Sequence, residues 1–283
     1  MADVINDAAQ KLQHNSSQLQ VQHSLDAGVQ PLQLKFVQVN SCDTNEPIAF
    51  RSFAIIDSVV EGHLAPRQYM KAMENTDMGI RLAEWSVEEA FGCITKLVDA
   101  GVNFKWLSVR CPVRLALEID VYAWMKTLID KHGFKYPDKL CLEFSSDLLR
   151  TYGTLARRAV LDMKLLGVKT LVSNCGKQNC PTSQFLKVPA DMAMLSPEIT
   201  AWTGSRNKPQ FISTLIPYLN SMRVQVYAAG VSDDEQIRIL NRFDCVGYTV
   251  VNDYKGKQNI IGKLVSFDRI LKLKNETEED SFV

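Results

Sequence analysis

Residues 139–176 read KLCLEFSSDLLRTYGTLARRAVLDMKLLGVKTLVSNCG. Lys139–Phe144 is a run of strand length, Leu148–Leu166 is a helix closed by Gly167, and Val168–Val172 is a second strand. Strand, helix and strand in that order make a unit whose strands lie parallel with the helix packed over them. The rhythm extends in both directions. Upstream, Trp106–Val109 reads as a strand and Val121–His132 as a helix. Downstream, Thr182–Lys187 begins a helix and Met192–Leu195 is a short apolar strand. Lys208–Met222 (helix), Val224–Ala228 (strand), Asp233–Phe243 (helix), Val246–Val250 (strand) and Ile260–Leu273 (closing helix) follow. Strands alternating with helices over this length predict a parallel sheet or an α/β barrel.

The first part of the fold breaks the pattern. Leu32–Val39 alternates apolar and polar residues, Ala49–Ile56 is a second strand, and the turn-rich Ser41–Pro47 joins them. Two strands so closely connected predict an antiparallel hairpin. Arg67–Thr76 and Ile80–Ala100 read as helices. The second carries the stripe Leu82, Trp85, Val87, Ala90, Phe91, Ile94, Leu97 and Val98, and ends at Gly101. Residues 1–31 are rich in Gln, Ser, Asn and His. Their apolar positions (Leu12, Leu19, Val21, Leu25) form no sustained face, so they are expected to be a tail, disordered or partly helical. Residues 274–283 are expected to be an acidic tail, which leaves 32–273 as one barrel domain.

Composition narrows the function. The chain has 283 residues, 46% hydrophobic and 23% charged, enough for one large core. Its formal net charge is zero, without the basic excess of a general nucleic-acid binder. No apolar stretch approaches the roughly 20 residues of a membrane helix. The N-terminus does not read as a signal peptide. The seven cysteines are scattered and odd in number, so they are expected to be reduced thiols in a cytoplasm.

Several local patterns, in one order, give this chain a resemblance to the EAL-domain family of cyclic di-GMP phosphodiesterases. Leu107-Ser108-Val109-Arg110-Cys111-Pro112 is similar to that family's strand ending in V-N-L-S. Leu140-Cys141-Leu142-Glu143-Phe144-Ser145-Ser146 is similar to L-E-[IL]-T-E-S. The run from Leu165-Leu166-Gly167-Val168-Lys169 to Gly176 stands where the family has L-G-V-x-x-A-L-D-D-F-G. Val226-Tyr227-Ala228-Ala229-Gly230-Val231, with Asp234-Glu235-Gln236, resembles V-A-E-G-V-E-T-x-E-Q. Val246-Gly247-Tyr248 parallels Q-G-Y, and Pro189-Ala190-Asp191 matches the register of L-P-V-D. The resemblance covers roughly residues 32–265. It implies a modified (β/α)8 barrel of the triosephosphate isomerase type, with the first strand antiparallel to the rest. The hairpin read from Leu32–Ile56 agrees with this independently.

The family's reaction is hydrolysis of a phosphodiester by water held between two divalent cations. Such chemistry needs several hard oxygen ligands converging from different strands. Position by position, the resemblance puts Phe53 where the family's first-strand Glu stands and Arg110 where its Asn ligand stands. Glu143 keeps the family's carboxylate. Ser173 and Asn174 replace the D-D pair, Met194 the water-positioning Lys, and Ser196 the Asp beyond it. Ala229 replaces a further Glu, Val246 the Gln before G-Y, and Asp57 the Arg that holds phosphate. One carboxylate does not hold two cations, so no metal or other cofactor is expected. Arg110 and Glu143, at the ends of adjacent strands, are candidates for an ion pair across the old site.

The other constellations read as structural. Cys111, Cys175 and Cys180 near one rim could bind zinc or form a redox pair, but Cys-x₄-Cys is a weak zinc spacing and no His lies in these loops. Asp233-Asp234-Glu235 opens a helix, where negative charge complements the dipole. The loop Gly204-Ser205-Arg206-Asn207-Lys208 reads as solvated. The leading expectation is a catalytically inactive barrel acting as a regulatory protein-interaction module in bacterial signalling, with an unidentified regulatory protein as partner and a homodimer open. The alternative is a receptor that binds cyclic di-GMP without cleaving it, against which Asp57 counts. A different enzyme using Cys111, Cys175 or Glu143 is the third class.

Overall fold

The computed structural model describes residues 32–58, 62–64, 69, 73–176, 182–204, 209–254, 257–259 and 264–272. Both expected tails, Cys180, half of the Arg67–Thr76 helix and most of the Gly204–Lys208 loop lie outside them.

The predicted hairpin forms. β1 (Leu32–Ser41) and β2 (Pro47–Ser58) run antiparallel, with Leu32 opposite Ile56 and Val39 opposite Ala49. β3 (Gly62–Leu64) folds back on the end of β2. β4 (Leu107–Arg110), β5 (Leu140–Ser145), β6 (Lys169–Cys175), β7 (Met192–Leu195), β8 (Gln225–Val231) and β9 (Gly247–Val250) then pair in chain order, all parallel, beginning on β2. β9 returns to β1, with Ser41 opposite Gly247, and the sheet closes. The result is an eight-stranded barrel whose first strand alone is antiparallel, wrapped by helices. Closure depends on a close approach: a Cβ on Gly247 would stand 2.6 Å from the Asn40 carbonyl oxygen.

Alternation along the strands separates two cores. Outward residues (Phe50, Val109, Leu142, Val172, Ala193, Ala228) pack under the helices. Inward residues (Val39, Ala49, Trp106, Cys141, Leu171, Met192, Met194, Tyr227, Ala229) fill the barrel. Trp106 donates its indole N–H to the Tyr227 hydroxyl at 3.2 Å, ring edge to ring face, so the largest interior side chain leaves no unpaired donor.

The Asp77–Asp99 helix buries the predicted stripe. Thr76 caps it, its Oγ1 accepting from Gly79 N at 3.3 Å, and Asp77 and Lys96 complement its dipole. Asp233 does more than supply charge: its Oδ1 caps the Asp234–Arg242 helix by accepting from Gln236 N at 2.9 Å. Three expectations need correction. The long Leu148–Leu166 helix is two, Ser146–Thr151 and Gly153–Leu165, because Tyr152 leaves helical geometry and Ser145 starts the first piece by accepting from Leu148 N. The Thr182–Lys187 start is a short 3-10 turn, Thr182–Leu186. The closing segment contains Leu264–Val265 as β12, paired with β1, and a helix only over Phe267–Leu271. Between them and β9 lies a small hairpin, β10 (Asn252–Tyr254) and β11 (Lys257–Asn259), without a sequence signal.

Candidate functional site

In barrels of this kind the C-terminal ends of the parallel strands carry the chemistry. Here that rim gathers the inward positions of β2, β4, β5 and β6. Arg51 and Phe53 stand on one face of β2, with the Arg51 guanidinium carbon 5.2 Å from the centre of the Phe53 ring. Ser108 and Arg110 face inward from β4, and Glu143 from β5.

Glu143 is 3% exposed, and a carboxylate so buried needs partners. It has them. Arg51 Nη2 donates to Oε1 at 2.6 Å and Arg51 Nε to Oε2 at 3.1 Å, a two-pronged contact. Ser108 Oγ lies 3.4 Å from Oε2. Burial pushes the Glu143 carboxyl up, but the charge and hydrogen bonds of Arg51, with Arg110 behind, hold it below the usual carboxylate range. Glu143 therefore stays ionised and fully engaged.

The expected Arg110–Glu143 pair is only peripheral. Arg110 Nη1 is 4.0 Å from Glu143 Oε1, while its Nη2 donates to both oxygens of Glu74, at 2.9 and 3.1 Å. Burial works against the Arg110 charge, but Glu74 and Glu143 outweigh it and raise its pKa. The Nε of Arg110 is buried and meets no acceptor among the described residues. An unpaired buried N–H costs ~1–3 kcal/mol.

The remaining positions divide. Ser173 is buried, and its Oγ donates to the Phe144 carbonyl at 3.3 Å. Asn174 has a left-handed backbone (φ 59°) where β6 shifts register against β7. Met194 and Ala229 belong to the apolar interior. Ser196 is buried and caps the Pro197–Thr200 turn. Asp57 stands opposite His63 in the β2–β3 pairing. Val246 precedes β9 and so sits at the strand end remote from the rim, against the interior cluster. The Cys111 and Cys175 thiols reach the backbone carbonyls of Pro112 and Val172.

Tested as a cradle for two divalent cations, this donor set does not fit. The one interior carboxylate among the described residues has both oxygens held by a guanidinium, and the set around it offers an arginine, an aromatic ring, a thioether and a methyl group. Among the described residues no group of three His, Cys, Asp or Glu side chains converges.

The sequence profile of the EAL domain matches residues 20–249. The chain belongs to the EAL domain family. Solved structures share the fold at low identity. A MucR phosphodiesterase in complex with c-di-GMP is 15% identical, with a TM-score of 0.75, over 89% of this chain and 99% of that one. The EAL enzyme Bd1971, in its cGMP-bound form, is 16% identical at a TM-score of 0.78, over 96% of this chain and 72% of its own. An EAL domain protein from Listeria monocytogenes is 19% identical at a TM-score of 0.70, over 92% and 97%. No curated protein matches in sequence. The family places this EAL domain among those of cyclic di-GMP signalling. No helix among the described residues is long and apolar enough to cross a membrane.

Arg51 and Glu74 escaped the sequence reading. Arg51 had a signal: it lies two residues before Phe53 in a strand, hence on the same inward face, and a charge there needs an opposite charge inside. Glu74 had none: it lies in the Arg67–Thr76 segment, read as a helix, and nothing in that segment pairs its carboxylate with Arg110.

Proposed function

We propose that this EAL domain does not hydrolyse cyclic di-GMP and works as a regulatory protein-interaction module in the cytoplasm of a bacterium, on a partner protein still to be identified. The observation that carries the reading is the double contact of Arg51 with Glu143. Two-metal hydrolysis requires carboxylates free to bind cations, which neutralise the phosphoryl charge and lower the pKa of the attacking water. Here a guanidinium occupies Glu143, the one interior carboxylate among the described residues. The alignment with the family's motifs supports the same conclusion, since Phe53, Arg110, Ser173, Asn174, Met194 and Ala229 stand where it has ligands or the positioning Lys. What survives is the framework: a closed barrel with a packed interior, able to present its rim and outer helices to another protein.

Calorimetric titration of the purified full chain with cyclic di-GMP, with and without Mg²⁺ or Mn²⁺, tests this. No heat, no thermal shift and no linear dinucleotide product at about 100 μM ligand is the expected result. Metal-independent binding without product would replace the module with a non-hydrolysing receptor. Metal-enhanced binding with turnover would overturn the proposal.

A further inference from the structure

At the end of the barrel opposite Arg51 and Glu143, the N-terminal ends of β6, β7 and β8 and the corners leading into them surround a cavity of about 410 Å³, within the ~300–1,000 Å³ usual for small-molecule sites. Apart from Val168 and Met192, its side chains are polar. Strand alternation sets two of them. Lys169 lies two residues before the interior Leu171, and Gln225 two before the interior Tyr227, so both stand on the inward face at the mouth of the barrel. Asp191, the one carboxylate of the lining, is fully engaged: its Oδ1 accepts from Lys164 Nζ at 3.0 Å, and its Oδ2 from the Thr170 backbone N at 2.9 Å and Oγ1 at 2.6 Å. The Lys169 ammonium, the Arg223 guanidinium and the Gln225 amide have no ion-pair or side-chain hydrogen-bond partner among the described residues. Arg223 and Gln225 are exposed and Lys169 partly so, so a ligand in solution can reach all three.

Arg223 holds its place under strain. The Pro209–Ser221 helix closes with Arg223 N donating to the Asn220 carbonyl at 2.8 Å and Val224 N to the Leu219 carbonyl at 3.2 Å. This closure puts Arg223 in the left-handed region, with φ 62°. The corner before β6, which lines the same cavity, has Gly167 there with φ 75°, and glycine accepts that geometry freely. A long side chain does not. Strain of this kind is a pointer to a side chain that is used.

We infer that this cavity binds a small phosphate monoester, its phosphate held between Arg223 and Lys169 with Gln225 donating to a further oxygen. Such a group carries close to two negative charges at neutral pH and three terminal oxygens. The cavity offers two cations without a countercharge, one of them a guanidinium fork suited to phosphate, and a neutral donor. The alternatives fit less well. A cation would meet two positive charges and a carboxylate whose oxygens are both taken. An apolar molecule would cover little apolar surface. A carboxylate would leave one cation unmatched. The cavity and Glu143 lie at opposite ends of the barrel, so the inference is independent of whether the protein hydrolyses cyclic di-GMP.

Three probes on one small skeleton test it: glycerol phosphate, glycerate and glycerol, titrated into the isotope-labelled full chain and followed by NMR. Glycerol phosphate is expected to shift the amide resonances of Gly167, Lys169, Arg223 and Gln225 saturably, glycerate to bind at least about tenfold more weakly, and glycerol not at all. Lys169→Gln is expected to weaken glycerol phosphate about tenfold or more. Arg223→Gly separates ligand from fold: it is expected to weaken binding about tenfold or more while melting no lower than the parent, because glycine relieves the left-handed backbone. No saturable shift at about 20 mM glycerol phosphate, or glycerate binding as tightly, would overturn the inference. An Arg223→Gly variant that binds as tightly, or that melts lower, would show that Arg223 serves no ligand there and would overturn it too.

Discussion

Arg51 and Glu143 meet across the barrel interior from strands that are not neighbours, reaching past Ser108 of the intervening β4 with contacts of 2.6 and 3.1 Å. Their attraction is set against the cost of removing two charges from water, and in a buried pair that cost can match the gain. What such a pair enforces strongly is mutual dependence.

Arg51→Met is therefore expected to destabilise the protein by about 3–5 kcal/mol, because it leaves Glu143 charged and buried. The double variant Arg51→Met/Glu143→Leu, which removes both charges, is expected to recover most of that loss. Urea unfolding of the three proteins measures both. A single variant within about 1 kcal/mol of the parent would mean that Glu143 finds another partner, and Arg110 at 4.0 Å is the candidate.

The same pair makes stability depend on pH. Glu143 has a folded-state pKa below its ordinary value. Its contribution is then fully present above the unfolded-state pKa, near 4.3, and is lost as pH falls through the lower folded-state pKa. Melting temperature is expected to be insensitive to this group from pH 8 to 5 and to fall below about pH 4. The difference between parent and Arg51→Met/Glu143→Leu is the diagnostic, since other carboxylates cancel in it. A difference that grows towards neutral pH from pH 5 would contradict the assignment.

Gly247 gives a prediction about closure. Its place opposite Ser41 has room for hydrogen alone, with Asn40 oxygen 2.6 Å and Ile48 Cδ1 3.1 Å from any added Cβ. Gly247→Ala must push β1 away from β9, at a cost of about 1–3 kcal/mol. Hydrogen exchange should then rise at the β1–β9 seam first and remain unchanged in β5 and β6. Uniform exchange would show that the strain is absorbed elsewhere.

How far this was legible before the structure depended on whether one residue carries the information. Periodicity and closing glycines are local, so the strand of Met192–Leu195 and the helix of Val121–His132 were readable to the residue. The antiparallel first strand followed from the short Ser41–Pro47 connection. The break at Tyr152 did not, because the helical pattern runs on through it while its backbone leaves helical geometry (φ −133°, ψ 45°). At the site, the kept Glu143 could be read from its motif, but not its partner. Arg110 is adjacent in the sheet and was the natural choice. Arg51 wins through the stagger of the strands, which aims its fork at both carboxylate oxygens while Arg110 turns to Glu74.

The cysteines supply the last prediction. A thiol reacts as its thiolate, and burial in apolar surroundings raises its pKa. Burial drives Cys111 far above its ordinary value, with Glu74 adding to the effect, and Cys141 likewise, with Glu143 adding. The half-buried Cys93 is pushed up to about 12, by desolvation first and Glu89 second. Between pH 7 and 9 none of the three is expected to carry an appreciable thiolate. Labelling of the native protein with a disulfide reagent at pH 8, mapped by mass spectrometry, should leave Cys111 and Cys141 unmodified on the timescale that modifies them in urea. Raising the pH to 9 should not accelerate their native labelling. Rapid native modification of Cys111 would mean that it is reached by solvent and partly ionised, and would revive a redox or metal role at that rim.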